Sequence, residues 1–396
     1  MRWPSGSAAP CAGPGERLWE THPPAPGAPL ARDHGWRRGP TFVGPPRGVS
    51  LYGHRVPDHD PGPRLPGTAA AVGALPGEDP REAARTVFGE LGEPPHVPHL
   101  PTLPARGPGA DPLGRTAALL VDLPVDLQPG GWRFVDAPGR DAARAGSFLR
   151  ADLDELAEAA DGWDGPLALP VVGPWSLLAA VELSRGERSV SDHGARRDVV
   201  ASLAQGLADH VGDVRRLVPG ARVVVHVEEP SLNDVLTGRV PTQSGYGTLR
   251  AVHRPEVRDG LRAVLDAVRA AGAEPVLRLR SEDAPLALAR EAGAAGVALD
   301  VRALGSTAWE SVAATVEGGL RLWAGVLPAA GTVPAVGALV DAVRVPWRRV
   351  GLPATALADV VLTPAEGLAG TDPGAVRGLL TRLREAAAAL AEASGD

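Results

Sequence analysis

Residues 222–232 read Arg-Val-Val-Val-His-Val-Glu-Glu-Pro-Ser-Leu, and this stretch decides the fold. A short apolar, β-branched run stops abruptly on two carboxylates and a proline. Val223–Glu228 is therefore expected to be a strand, with the charged pair at its end. On either side lie helix-length segments with clear punctuation. Asp192 is a good N-cap for a helix through Leu217, closed by Pro219-Gly220, and Arg254–Ala271 stops at Gly272.

Outward from this unit the same texture repeats. Short apolar runs alternate with amphipathic stretches from Gly67 onward, giving the expected strands Ala69–Ala74, Trp132–Val135, Leu167–Val172, Val223–Glu228, Pro275–Arg280, Gly296–Asp300, Leu320–Val326 and Asp359–Thr363. Asp79 and Pro80 open a helix to Leu91, and Asp372-Pro373 opens the last one, to about Glu392. Eight strands separated by helices predict an α/β fold, a (β/α)8 TIM-type barrel over residues 67–396. An open doubly wound sheet more often carries a glycine-rich dinucleotide turn after its first strand, and Val72-Gly73-Ala74-Leu75-Pro76-Gly77 matches that poorly.

Residues 1–66 differ in kind. Proline and glycine fill 24 of these 66 positions, and no apolar period is sustained, so the segment is expected to be a disordered Pro/Gly-rich leader. It holds four of the ten histidines and the only cysteine, Cys11. The 396 residues contain no lysine: all forty basic residues are arginine. That excludes a P-loop and a Schiff-base lysine, and one cysteine excludes an intramolecular disulfide and a Cys-rich zinc finger. A net charge of −7 argues against a nucleic-acid partner. No uncharged apolar run approaches the roughly 20 residues of a membrane span. The N-terminus has no secretory h-region, so a cytoplasmic protein with a small-molecule substrate is expected. None of these features implies an oligomeric state.

In barrels the chemistry sits where strands end. Here the ends carry Gly73-Ala74-Leu75-Pro76, Gly173-Pro174, Glu228-Glu229-Pro230-Ser231-Leu232, Arg278-Leu279-Arg280, Leu299-Asp300 and Glu366-Gly367-Leu368. Together with Pro98-His99-Leu100-Pro101 and the segment Arg106 to Asp111, in this order, they resemble a known family. It is the catalytic C-terminal half of cobalamin-independent methionine synthase, in its single-domain actinobacterial and archaeal form, and the resemblance runs from about Gly67 to Glu392.

The resemblance implies a methyltransferase that moves a methyl group from 5-methyltetrahydropteroyl-glutamate, a methyl-folate, to the thiol of homocysteine. A free thiol with a pKa near 8.5 is mostly protonated at neutral pH. Zinc in the relatives strips that proton and holds the sulfur as thiolate. The implied zinc ligands, a His-x-Cys pair, a Glu and a Cys, fall on Arg278, Arg280, Asp300 and Glu366. The serine implied to touch the amino acid falls on Ala74, beside Gly73, and the implied histidine proton donor has no counterpart. Guanidiniums do not ligate metals, so no metal ligand or resident cofactor is assigned. The candidate substrate-binding residues are Gly73, Ala74, Glu228, Arg278, Arg280, Asp300 and Glu366.

Three functions follow: a methionine-synthase-like methyltransferase with degenerate zinc ligands, a catalytically lapsed homologue that binds a small molecule, or an enzyme of altered specificity reading an anionic substrate with Arg278 and Arg280. Residues two apart on a strand share a face, so the two arginines are expected to point together toward Glu228, Asp300 and Glu366. The alternatives are arginines in solvent past the strand end, or a hard-metal site of Glu228, Asp300 and Glu366. His226 should face inward as a hydrogen-bonded interior residue rather than a base, while His96 and His99 are expected on the surface. Trp175 either stacks on a flat ligand or packs at a helix start, and Glu228 and Glu229 are placed by the resemblance to bind an ammonium, the alternative being that one of them only caps a loop.

Overall fold

The computed structural model describes residues 66–281 and 283–395; the expected leader, apart from Pro66, lies outside the described residues, as does Cys11. Among the described residues the strands are β1 Val125–Gln128, β2 Gly131–Phe134, β3 Pro166–Val172, β4 Arg222–Glu229, β5 Glu274–Leu279, β6 Gly296–Asp300, β7 Arg321–Leu327 and β8 Val361–Pro364. The helices are α1 Pro80–Leu91, α2 Pro112–Ala117, α3 Arg140–Ala159, α4 Pro174–Ala180, α5 His193–Leu217, α6 Leu232–Thr237, α7 Arg254–Ala270, α8 Leu286–Ala292, α9 Ser306–Glu317, α10 Val336–Arg349 and α11 Pro373–Glu392.

Strands β3 to β8 form one curled parallel sheet in chain order. Parallel neighbours require a crossover, and at least one helix lies between each successive pair. The longest, α5, begins where the side chain of Asp192 accepts from the Ala195 N–H, and Asp79 and Asp372 cap α1 and α11 in the same way. The buried face of α5 is Val199, Leu203, Leu207, Val211 and Val214, at helical spacing and none more than 1% exposed. Each such side chain contributes roughly 1.5–3 kcal/mol on burial, so packing on the sheet stabilises these helices more than local propensity does.

Two of the eight expected strands differ from the sheet observed. Trp132–Val135 falls on β2, which pairs antiparallel with β1 in a hairpin outside the parallel sheet. Its Pro129-Gly130-Gly131 connection turns the chain after four residues, too soon for a crossover, and Gly131 has φ +129°. Ala69–Ala74 makes isolated bridges instead of a ladder. Leu362 of β8 pairs with Ala69, Ala70 with Val97, and His99 with Ala168 of β3, all parallel. Gly73 (φ +81°) ends the first of these stretches, and Pro98 and Pro101 withhold amide donors from the second. Ala70 and Val97 nevertheless join Ala168, Val224, Val276, Ala298, Trp323 and Val361 in a buried cluster separate from the main core.

The Arg106 to Asp111 segment is structural. Arg106 makes two hydrogen bonds to the buried Asp152, at 2.8 and 2.7 Å, Arg115 pairs with the same carboxylate, and Asp111 caps α2. His96 and His99 are corrected from surface to interior. His99 is fully buried with Nε2 3.0 Å from the Gly73 carbonyl, and His96 Nδ1 accepts from the Ala69 N–H at 3.2 Å. Burial pushes both histidines down to about 4.

Candidate functional site

Because the strands are parallel, their C-terminal ends meet at one end of the sheet. The register sets Glu228 directly beside Arg278, and Asp300 closes β6 two residues beyond Ala298, the partner of Arg278. The segment after β8 crosses the same end. A cavity of about 460 Å³ opens there, lined by Glu228, Arg278, Arg280, Asp300 and Glu366, with Pro230, Ser281 and Ala365 among its other walls. Five of the seven candidate residues thus surround one space.

The other two adjoin it. A Cβ on Gly73 would lie 3.6 Å from the Gly367 Cα and 3.9 Å from Glu228 Oε1, so the left-handed turn at Gly73 supports both walls. The Ala74 carbonyl accepts from the Leu368 N–H at 2.7 Å, tying this turn to the Glu366-Gly367-Leu368 segment.

Charge pairing departs from the expected pattern in a definite way. Arg278 donates from Nη2 to the Ala365 carbonyl at 2.6 Å, and its Nε stands 4.0 Å from Glu228 Oε1. Arg280 does not accompany it. Strand β5 ends at Leu279, so alternation no longer governs residue 280, and Arg280 turns to Asp234 at 3.1 Å. Asp300 is engaged by Arg302, whose Nε and Nη2 bind its two oxygens at 2.9 and 2.7 Å while the Arg302 amide adds a third bond. Glu366 is exposed and acts through space on Arg302. No ion pair joins Arg278 or Arg280 to Asp300 or Glu366 among the described residues.

Glu228 and Glu229 have opposite environments. Burial pushes the Glu228 carboxyl up, with Arg278 opposing. Glu229 points away into α4: it accepts from the Trp175 and Ser176 amides at 2.9 and 2.7 Å and from Ser176 Oγ at 2.7 Å. Despite these donors, burial pushes Glu229 up to about 7. It is a joint between β4 and α4, which removes it from the ammonium-binding candidates. Trp175 takes its packing alternative, 1% exposed with Nε1 donating to the Val257 carbonyl at 3.0 Å. His226 faces inward as expected, but neither ring nitrogen has a hydrogen-bond partner among the described residues; its ring instead meets Trp323 edge-on at 4.5 Å. Burial first, and then Arg278, push His226 down to about 3.

The donor set does not fit zinc. Two of the four positions where the resemblance implies ligands hold guanidiniums, and the Asp300 oxygens are occupied by Arg302. Among the described residues no group of three His, Cys, Asp or Glu side chains is arranged to hold a metal ion. Arg302, Asp234 and Ser281 were not expected here. Only the Asp300-x-Arg302 spacing offered a signal in the sequence.

No protein-family model matches the chain, and no curated protein matches it. Among solved structures, the chain is similar to a B12-independent methionine synthase from Shewanella sp. W3-18-1, at 13% identity and a TM-score of 0.43, over 59% of this chain and 65% of that one. It thus spans just under two thirds of that protein's length. It is also similar to an oxaloacetate acetylhydrolase (17% identity, TM-score 0.37, 81% and 82% of the two chains) and to a 2,3-dimethylmalate lyase (14%, 0.36, 76% of each). These are distant fold relationships and assign no activity. No helix among the described residues is long and apolar enough to cross a membrane.

Proposed function

We propose that the chain is a methionine-synthase-like methyltransferase that binds an amino-acid thiol, homocysteine, in the cavity at the strand ends and takes its methyl group from a methyl-folate. The observation that carries this reading is convergence. Gly73-Ala74, Glu228, Arg278, Asp300 and Glu366, scattered over nearly 300 residues, meet at one end of the parallel sheet in the order the family's motifs require. The bridges from β8 through Ala69, Ala70 and Val97 to β3 support reading the sheet as an eight-position barrel, with residues 69–74 and 97–102 as its first two staves. The substrate is a small molecule, with neither nucleic acid nor membrane as partner, and the protein works in the cytoplasm.

Glu228 is the group for the substrate ammonium, being the carboxylate that stays on the cavity while Glu229 is consumed by α4. Zinc has no part in this reading, because two of its four implied positions hold arginine. The same fact favours a second reading, a lapsed homologue that binds the amino acid without turnover. The deciding experiment measures methionine formation from methyl-folate and homocysteine by the purified full chain, alongside its metal content. Turnover by metal-free protein supports methyl transfer. Homocysteine binding without turnover moves the assignment to the lapsed homologue, and stoichiometric zinc with turnover overturns the metal-free account.

A further inference from the structure

Resting on the methyl-transfer reading above, we infer that Arg278 is the group that holds the acceptor sulfur as a thiolate, doing with a fixed guanidinium what a metal ion would otherwise do. Its side chain is 17% exposed, and it lines the cavity from β5. Nη2 is anchored on the Ala365 carbonyl and Nε lies 4.0 Å from Glu228, while Nη1 has no hydrogen-bond partner among the described residues. One edge of a rigid fork is thus held and another donor remains for a ligand. A guanidinium keeps its charge throughout the physiological range. Thiols beside arginine, lysine or similar positive groups fall from about 8.5 to roughly 3.5–7.5.

The surrounding charges leave this one effective. Arg280 is turned to Asp234, Asp300 is matched by Arg302, and Glu366 is exposed, where solvent and salt screen it. His226, on the inward face of β4 two residues before Glu228, is held neutral by burial. Glu228 is the one carboxylate paired with Arg278, and at 4.0 Å from Nε it stands at the limit of ion-pair distance. Ser281 Oγ, buried at the cavity wall and without a partner among the described residues, supplies a second donor for the sulfur. The step balances without a metal. The thiol releases its proton to solvent, and a sulfur electron pair forms the new C–S bond. The methyl C–N bond breaks, and the nitrogen keeps that pair and takes a proton from solvent.

The test titrates L-homocysteine bound to the full-length protein, following thiolate absorbance against pH, before and after treatment with a chelator. The bound thiol is expected to ionise at least one unit below its usual value of about 8.5, roughly ten times more thiolate at neutral pH, with no effect of the chelator. Arg278→Gln, titrated at homocysteine concentrations raised to offset weaker binding, should return the bound thiol to its free value. Arg278→Lys, which keeps the charge and guards against a folding defect, should retain most of the shift. Bound homocysteine with an unshifted thiol, a shift that survives Arg278→Gln, or one lost on chelation overturns the role of Arg278 alone. Failure of homocysteine to bind at all removes the methyl-transfer reading, and the role of Arg278 with it.

Discussion

Two adjacent glutamates show how one residue step separates function from architecture. Alternation sends Glu228 to the cavity and Glu229 to the start of α4, where three donors converge on it. Glu229→Ala leaves those donors without their acceptor in a buried joint. It should cost roughly 2–4 kcal/mol in urea unfolding. Glu228→Gln removes a charge from a cavity wall where Arg278 stands at the limit of ion-pair distance. Its stability should stay within about 1 kcal/mol of the parent while amino-acid binding weakens, as calorimetric titration would read. Equal unfolding losses in the two variants would contradict this division. Both carboxylates were legible as strand-end charges, but their separate roles were not, because the partner of Glu229 lies more than fifty residues away on another element.

At the scale of elements, α5 offers a test of packing against propensity. Gly206 sits in the middle of this helix, where an alanine would ordinarily stabilise by about 1 kcal/mol. Here a Cβ would collide with the Leu119 backbone carbonyl, which cannot rotate aside. Gly206→Ala should therefore lower the thermal midpoint, and a rise would show that the α5 contact with residue 119 is looser than described. In contrast Asp192→Ala, which removes the cap on the Ala195 amide, should cost about 1 kcal/mol through the helix alone. The strands β3 to β8 were readable because each is an apolar run with a clear stop. Ala69–Ala74 reads as a strand but forms only bridges, since Gly73 ends it, and the segment at 97–102 has no periodic signature because its prolines break it up. The hairpin misled for a related reason: Trp-Arg-Phe-Val reads as a strand whatever sheet it joins. Arg302 escaped notice because its pairing with Asp300 depends on backbone turning after β6, and Arg280, though a candidate, points elsewhere because its direction depends on where β5 stops.

For the molecule as a whole, buried histidines govern the response to acid. His96, His99 and His210 are each pushed down to about 4 and His226 to about 3, burial being the largest cause in every case. Their folded values lie below the unfolded value of about 6.5, so the stability they contribute is present above pH 6.5 and is lost as pH falls toward 4. Glu229 has the opposite sign. Its folded value near 7 lies above the unfolded one, so its contribution is present below about pH 4.5 and is lost as pH rises through 7. Between pH 6.5 and 4.5 the unfolded chain takes up protons at these four histidines, while in the folded chain the same rings, held at about 4 and 3, stay largely neutral. Unfolding free energy should therefore drop on acidification, with His226→Phe flattening the slope; a stability that rises toward pH 4.5 would reverse this ordering. The cluster inside the curled sheet carries a further consequence. Seven of its eight members are alanine or valine, and the one large side chain among them is Trp323, against which His226 rests. Register sets Trp323 beside Ala298 and Ala298 beside Arg278, so the indole stands in the same row of the sheet as the arginine. Shortening position 323 would empty the space against which His226 rests without altering any charged group at the mouth.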